Sequence, residues 1–127
     1  MNGNRFLADT NAFIYLLNRE QILQPFIDST WVYAFITEIE LLGKPGLSKS
    51  EEKLIRELLL IAEKLQHNDL ITELTIQLKQ KYRMKLPDAI IAATALVNQW
   101  KLISRNVEDF KALSELEIVN PHSLWLS

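Results

Sequence analysis

Residues 5–17, RFLADTNAFIYLL, consist of an apolar run, a short polar interruption and a second apolar run. Phe6–Ala8 is predicted as a short buried strand and Phe13–Leu17 as part of a helix, with Asp-Thr-Asn at residues 9–11 in the tight junction between them. Short polar side chains of this kind cap helix N-termini, so capping alone is one interpretation of Asp9. The other is a metal ligand at the carboxyl end of a central strand, which requires acidic partners elsewhere in the chain.

Strand-like and helical segments alternate along the rest of the sequence. Strands are predicted at Trp31–Ile36, near Leu70–Ile71, at KLIS (101–104) and at LEIV (116–119), and helices at Ser50–Gln66, Glu73–Lys81 and Ala89–Val97. The box Ser48-x-x-Glu51 is predicted to start the first of these helices, and Pro87 occupies the first turn of the last. The alternation favours a three-layer α/β/α fold with a central, mostly parallel sheet of about four to five short strands.

The composition restricts the possible classes of protein. A chain of 127 residues with 48% hydrophobic composition predicts a single compact domain over residues 1–127. The sequence contains no cysteine, which excludes disulfides, thiolate metal sites and cysteine nucleophiles. No apolar run reaches membrane-spanning length, so we expect no membrane contact and a cytoplasmic location. The net charge of −2 does not exclude a nucleic-acid partner, because acids grouped around cations are neutralised locally.

Four acidic residues are predicted to meet at one pole of the sheet. Asp9 ends the first strand, Glu40 follows the second strand by one helical turn, Asp88 begins the buried helix, and Asp109 follows KLIS. Ligands bind at the carboxyl ends of parallel strands, and clustered carboxylates repel one another unless a cation lies among them. Oxygen ligands of this type suit Mg²⁺ or Mn²⁺, and such ions support hydrolysis of phosphodiesters.

Each of the other three acids also has a purely structural interpretation. Thr37-x-x-Glu40 has the pattern of a capping box. Asp88 has the charge that favours a helix N-terminus, and Asp109 is placed to cap a short helical turn at residues 110–113. These interpretations remain open for each acid taken singly.

Four segments together resemble the motifs of PIN-domain ribonucleases, and most closely the VapC-type toxins of type II toxin–antitoxin pairs. These segments are LADTN (7–11), ITEIELL (36–42), LPDAIIAATAL (86–96) and ISRNVEDF (103–110). The resemblance implies a PIN-like fold and a Mg²⁺- or Mn²⁺-dependent endoribonuclease that cleaves RNA, with transfer or ribosomal RNA as the expected substrate. It also implies a homodimer and a cognate antitoxin protein. Carried over by position, the catalytic and metal-binding set is Asp9, Glu40, Asp88 and Asp109, and the residues that orient it are Thr10, Asn11, Thr37, Ser104 and Asn106.

Two further surfaces are predicted to bind partners. The segment KQKYRMK (79–85) and the nearby arginine offer cations for RNA phosphates, namely Lys79, Lys81, Arg83, Lys85 and Arg105, and Tyr82 offers a ring for a base. If the helix continues through this segment, Lys81 with Lys85 and Lys79 with Arg83 share a face; a solvated basic face is the alternative. The helix Phe13–Leu17, with Leu23 and Phe26 nearby, is predicted to offer a groove to an amphipathic antitoxin segment, although these residues also suit a core.

Two other functions compete with the nuclease. One is a catalytically silent PIN scaffold that binds RNA or a protein partner. The other is a phosphoacceptor domain, which requires paired acids after the first strand and a lysine at the end of a late strand; neither is present in the expected place. His67 and His122 have no second histidine at metal-ligand spacing and are interpreted as surface or structural residues.

Overall fold

Five short parallel strands form one sheet in the part of the chain that the computed structural model describes, residues 5–17 and 30–120. The strands are β1 (Arg5–Ala8), β2 (Thr30–Ala34), β3 (Glu63–Leu65), β4 (Lys101–Ile103) and β5 (Ile118–Val119). Their spatial order is β3-β2-β1-β4-β5. The chain therefore proceeds outward from β1 in one direction and then crosses to its other side, which creates a topological switch point between β1 and β4.

Helices cover both faces of this sheet, as the predicted three-layer α/β/α fold requires. They are α1 (Thr10–Leu17), α2 (Phe35–Leu42), α3 (Lys49–Ile61), α4 (Asp69–Tyr82), α5 (Leu86–Asn98) and the single turn α6 (Val107–Phe110). One core contains Leu7 together with residues of α4 and α5. The other contains Phe6 and Ala8 together with residues of α1 and α3. Alternate side chains of β1 thus point into different cores, because successive residues of a strand face opposite ways.

The strongest local sequence signals produce the expected helices. In α5, every residue from Ala89 to Ala95 is buried, so this helix is central as predicted, and Pro87 lies in its first turn. At the start of α3, the Ser48 hydroxyl accepts from the N–H of Glu51 at 3.1 Å, and the Glu51 carboxylate accepts from the N–H of Ser48 at 2.9 Å. The predicted capping box is therefore present. None of the helices in the described residues combines the length and apolarity needed to cross a membrane.

The predicted elements around β2 and β3 are partly wrong. The second strand ends at Ala34 rather than Ile36, and α2 begins at Phe35, because an apolar run does not distinguish a buried strand from a buried helix. The predicted strand at Leu70–Ile71 lies instead in the first turn of α4, which Asn68 caps by accepting from the N–H of Ile71 at 2.9 Å. The actual strand is Glu63–Leu65, inside the segment predicted as helix. Its two exposed charged residues carry no apolar strand signal.

Candidate active site

The sheet register places Asp9 and Ser104 side by side at the carboxyl ends of the two central strands. Ala8 pairs with Ile103, and each of the two polar residues directly follows its strand. Both are buried, with Asp9 only 4% exposed and Ser104 fully enclosed. A buried carboxylate and a buried hydroxyl therefore meet at the topological switch point, where ligands bind in parallel α/β sheets.

Asp9 caps α1, and its surroundings also disfavour its charge. Its Oδ1 accepts a hydrogen bond from the N–H of Ala12 at 2.8 Å, so the capping interpretation is correct. Burial raises the pKa of Asp9 above the ordinary value, and the hydrogen bonds from Ser104 and Ala12 oppose that effect. The negative charges of Asp88 and Glu40 raise this pKa further. The cap occupies one carboxylate oxygen and leaves the residue able to serve a second role.

Glu40 is connected to the Asp9 junction through Thr10. The Thr10 hydroxyl donates to Oε1 of Glu40 at 2.5 Å and lies 3.2 Å from the hydroxyl of Thr37, which is completely buried. Thr37 is the third residue of α2, whose N-cap position is Ala34 and has no side-chain cap. The capping-box interpretation of Glu40 is therefore wrong. This carboxylate belongs to a hydrogen-bonded chain that joins α1 and α2.

Asp88 and Asp109 complete the acidic pole from the other side of the sheet. Burial raises the pKa of Asp88, and the charges of Asp109 and Glu40 add to the increase, while Lys85 lowers it. Asp88 lies in the first turn of α5, as predicted. Asp109 is exposed and lies inside α6, so it does not cap a turn at residues 110–113.

The chemistry of this donor set fits a hard divalent cation. The contributing atoms are carboxylate and hydroxyl oxygens. Burial first, and then the charges of neighbouring carboxylates, raise the pKa values of Asp9 and Asp88, and a bound cation would offset both effects. The acids nevertheless lie apart: across residues 5–17 and 30–120, no three acidic or histidine side chains are close enough to enclose a metal ion. Mg²⁺ commonly binds through one or two carboxylates and keeps several waters, so an open arrangement suits this ion.

The remaining predicted polar residues have different surroundings. The backbone N–H of Asn106 donates to the Ser104 hydroxyl at 3.0 Å, which fixes the start of the segment leading to Asp109. The Asn106 side chain makes no capping bond to α6. Asn11 is exposed in the first turn of α1. Ser104, Thr10 and Thr37 thus have contacts suited to orienting ligands.

The basic segment 79–85 does not form one continuous helix, although the prediction that its cations share helix faces required one. Helix α4 ends at Tyr82, and Arg83 adopts a left-handed conformation with φ 55°. The predicted pairing of Lys81 with Lys85 and of Lys79 with Arg83 on common faces is therefore wrong. Residues 83–85 turn a corner between α4 and α5 instead.

The cations of this segment consequently have separate environments. Lys79 donates to the carbonyl of Met84 at 2.9 Å and so helps to close the turn. The Lys81 ammonium lies 5.2 Å from the centre of the Tyr82 ring, which is itself half-buried against the core. Lys85 directly precedes α5 and lowers the pKa of Asp88. Lys85 is therefore the member of this segment with an electrostatic link to the acidic pole; Arg105 is exposed and directly follows Ser104.

A groove beside Glu40 differs in composition from the one predicted. Phe13 is fully buried, the side chains of residues 15–17 are not described, and Leu23 and Phe26 lie outside the described residues. A groove of about 190 Å³ lies on the Ile14 side of α1 and reaches α3; it is lined by Thr10, Ile14, Glu40, Leu41, Lys44, Leu47, Glu51, Leu54 and Ile55. The contributions of residues 44, 47 and 54 were not predicted, since only the packing of α1, α2 and α3 brings them together.

Comparison with known proteins agrees with this fold. The sequence matches the PIN domain family over residues 6–116. A toxin–antitoxin complex from Klebsiella pneumoniae contains a chain that is 30% identical, with a TM-score of 0.76 over 91% of this chain and 96% of that one. A VapBC-1 structure from nontypeable Haemophilus influenzae is 28% identical, with a TM-score of 0.76 over 93% of this chain and 98% of its counterpart.

A more distant structure extends the likeness in fold. DNA-bound VapBC from Salmonella typhimurium is 20% identical, with a TM-score of 0.79 over 92% of this chain and 98% of the compared chain. Among proteins with curated functions, none matches this sequence. The family match covers most of the chain, and the carboxyl ends of its parallel strands carry the acids that the sequence motifs predicted. The chain therefore belongs to the PIN domain family and resembles the VapC-type toxins within it.

Proposed function

We propose that this protein is a divalent-metal-dependent endoribonuclease and the toxin of a toxin–antitoxin pair. The observation that carries the proposal is that Asp9 and Asp88, from separate elements, are both withdrawn from solvent at one edge of the sheet, and that the charge of Glu40 raises the pKa of each. Perturbed carboxylates at a ligand-binding edge are typical of catalytic sites. Membership of the PIN domain family supports a nuclease in particular.

The acids that would hold the cation are drawn from Asp9, Glu40, Asp88 and Asp109, with one or two of them as direct ligands and the others acting through bound water. A bound Mg²⁺ or Mn²⁺ supplies a water of lowered pKa and offsets the charge of the phosphodiester. Ser104 and the N–H of Ala12 orient Asp9, and Thr10 orients Glu40. Hydrogen bonds of this kind fix ligand orientation. Lys85 lies where it can attract an RNA phosphate toward Asp88.

The groove beside Glu40 is the proposed site for the antitoxin. Its apolar lining includes Ile14, Leu41 and Leu54, and its charged rim includes Lys44 and Glu51. An amphipathic segment suits such a groove. Because Glu40 itself forms part of the lining, a segment bound there would also cover the acidic pole. A homodimer stays a prediction from the resemblance, and a cytoplasmic location stays a prediction from the sequence.

Cleavage of a panel of transfer and ribosomal RNAs tests the enzymatic proposal. The purified chain is incubated with Mg²⁺, with Mn²⁺ or with a chelator, beside the Asp9→Asn and Glu40→Gln variants. Glu38→Gln is the matched control, because Glu38 lies on the same helix but pairs with Lys64 at 3.3 Å. We expect metal-dependent cuts at a few positions with the unmodified chain and the Glu38→Gln variant, and none with the other two. Equal cutting by all four proteins would show contamination and refute the assignment.

The open spacing of the acids favours one second candidate, a silent scaffold that binds RNA without cleaving it. The same panel separates the two functions when binding is measured in parallel. RNA retention by the unmodified chain without cleavage under either metal would support the scaffold.

A further inference from the structure

His67 is an exposed aromatic side chain that is nevertheless held in place. Its Nε2 lies 2.7 Å from the hydroxyl of Thr72, and its ring centre lies 4.9 Å from that of Phe35 in an edge-to-face arrangement at 70°. Phe35 is half-buried against the core formed with α4 and α5. The imidazole is therefore presented to solvent in a restricted orientation, so a partner that stacks on it loses little side-chain entropy.

The sheet register brings this pair to the same edge as the acids. Leu7 pairs with Val32 and Ala34 pairs with Leu65, so Asp9, Ala34 and Leu65 lie at one level across three strands. Phe35 directly follows Ala34, and His67 follows Leu65 by two residues. Neighbouring strands are about 4.8 Å apart, so β3 lies roughly 10 Å from β1, the strand that directly precedes Asp9.

A purely structural role accounts poorly for the ring. The start of α4 is already fixed by Asn68, whose side chain accepts from the N–H of Ile71 at 2.9 Å and whose carbonyl accepts from the N–H of Thr72 at 3.1 Å. The apolar surface also continues along α2, where Ile39 is one turn beyond Phe35 and is 57% exposed. The rim beside the acids thus combines an aromatic ring with exposed apolar area.

We infer that His67, supported by Phe35, is a stacking site for an unpaired RNA base one or two nucleotides from the phosphate that faces the acids. This inference rests on the proposed ribonuclease function and adds a base-binding position to it. Proteins recognise single-stranded RNA largely by stacking bases on aromatic side chains. Such a contact tolerates several bases and releases no phosphate counterions.

Binding of a labelled single-stranded RNA of about 12 nucleotides tests the site. Fluorescence anisotropy is measured in the Asp9→Asn background, so that no cleavage intervenes, with His67→Ala and His67→Phe variants. We expect His67→Ala to weaken binding roughly 5- to 150-fold, the range of one lost stacking contact. His67→Phe keeps the ring and is expected to bind within about twofold of the parent. The slope of affinity against salt should be the same for all three proteins.

A series of RNAs with one abasic position separates stacking from a loss of structure. Removal of one particular base is expected to weaken binding to the parent and to abolish the difference between parent and His67→Ala. A loss in His67→Ala that persists with every abasic RNA would overturn the inference, as would equal binding by all variants or no RNA binding at all. Cleavage of the same RNAs by the chain with intact Asp9 reports separately on the proposed nuclease.

Discussion

The acids at the carboxyl edge of the sheet and Glu51 at the start of α3 lie in environments that shift their pKa values in opposite directions. Glu51 exchanges hydrogen bonds with Ser48, and these bonds lower its pKa. Asp9 and Asp88 have raised pKa values, because burial and neighbouring carboxylates disfavour their charges. The first arrangement stabilises a helix. The arrangement of Asp9 and Asp88 costs folding free energy. Such a cost is typical of a functional site, here one that would bind a cation.

The largest expected effect is a loss of RNA cleavage when Glu40 of α2 is substituted, but not when Glu38 of the same helix is. Glu40→Gln should reduce kcat by roughly 100- to 1000-fold, the scale of removing one electrostatic contributor to a catalytic site. Glu38→Gln should leave kcat unchanged, because the Glu38 carboxylate is already paired with Lys64 of β3 at 3.3 Å. Single-turnover cleavage of one identified RNA measures both. Equal losses would mean that the charge of α2 matters rather than the position of Glu40.

A smaller effect is expected when Glu40 keeps its charge but loses its hydroxyl partner. Thr10→Val preserves the side-chain shape and removes the donor that reaches Glu40. It should weaken Mn²⁺ affinity about 10- to 100-fold, as loss of a ligand-orienting hydrogen bond commonly does. Thr10→Ser retains a hydroxyl and should recover most of the affinity. Calorimetric titration with Mn²⁺ in the absence of RNA gives the comparison, and equal affinities for both variants would remove this role for Thr10.

The strongly patterned elements were predictable from sequence, whereas the contacts between elements were not. The strand before Asp9 and the buried helix after Pro87 have apolar patterns that specify them locally. Strand β3 has none, since pairing with β2 rather than side-chain burial defines it. The position of Asp9 was predictable because the apolar run of β1 stops directly before it, and that of Asp88 because Pro87 marks the first turn of α5. The bond between Thr10 and Glu40 spans 30 residues of sequence and depends on how α1 packs on α2.

The basic segment 79–85 shows that a helical pattern in the sequence can also continue past the point where the helix ends. Helical spacing predicted shared faces for its lysines and arginine, but the helix stops before Arg83 through a left-handed residue that is not glycine. A glycine at this position would have signalled the end of the helix. Arginine at this position gave no such signal, so the separate surroundings of Lys79 and Lys85 emerge only from the fold.

The contrast between the two groups of acids also predicts opposite dependences of stability on pH. The folded-state pKa of Asp9 lies above its ordinary value of 3.8, so between these values the folded chain binds more protons than the unfolded chain. Its contribution to stability is therefore lost as pH rises through that interval. Glu51 behaves in the opposite way: its contribution is present above 4.5 and is lost as pH falls through its lowered pKa.

Urea unfolding over a pH series in chelator measures this difference. Asp9→Asn should raise the unfolding free energy at neutral pH, because asparagine can still accept from the N–H of Ala12 and carries no disfavoured charge. Glu51→Gln should lower it. Added Mg²⁺ should stabilise the unmodified chain more than Asp9→Asn, since a cation bound to the folded state adds its binding free energy. Parallel pH curves for Asp9→Asn and the unmodified chain would contradict the raised pKa.

The smallest expected effect is the loss of the cap on α3. Ser48→Ala removes the hydroxyl that accepts from the N–H of Glu51 and should cost about 1 kcal/mol of unfolding free energy, which Ser48→Asp should largely recover. Neither change touches the acidic pole, so RNA cleavage at temperatures well below unfolding should remain unchanged. If Ser48→Ala instead reduced cleavage while the chain stayed folded, the start of α3 would be coupled to the pole through the groove that Glu51 and Glu40 both line. Glu51 would then contribute to function as well as to stability, and the distinction between it and the acids of the pole would be wrong.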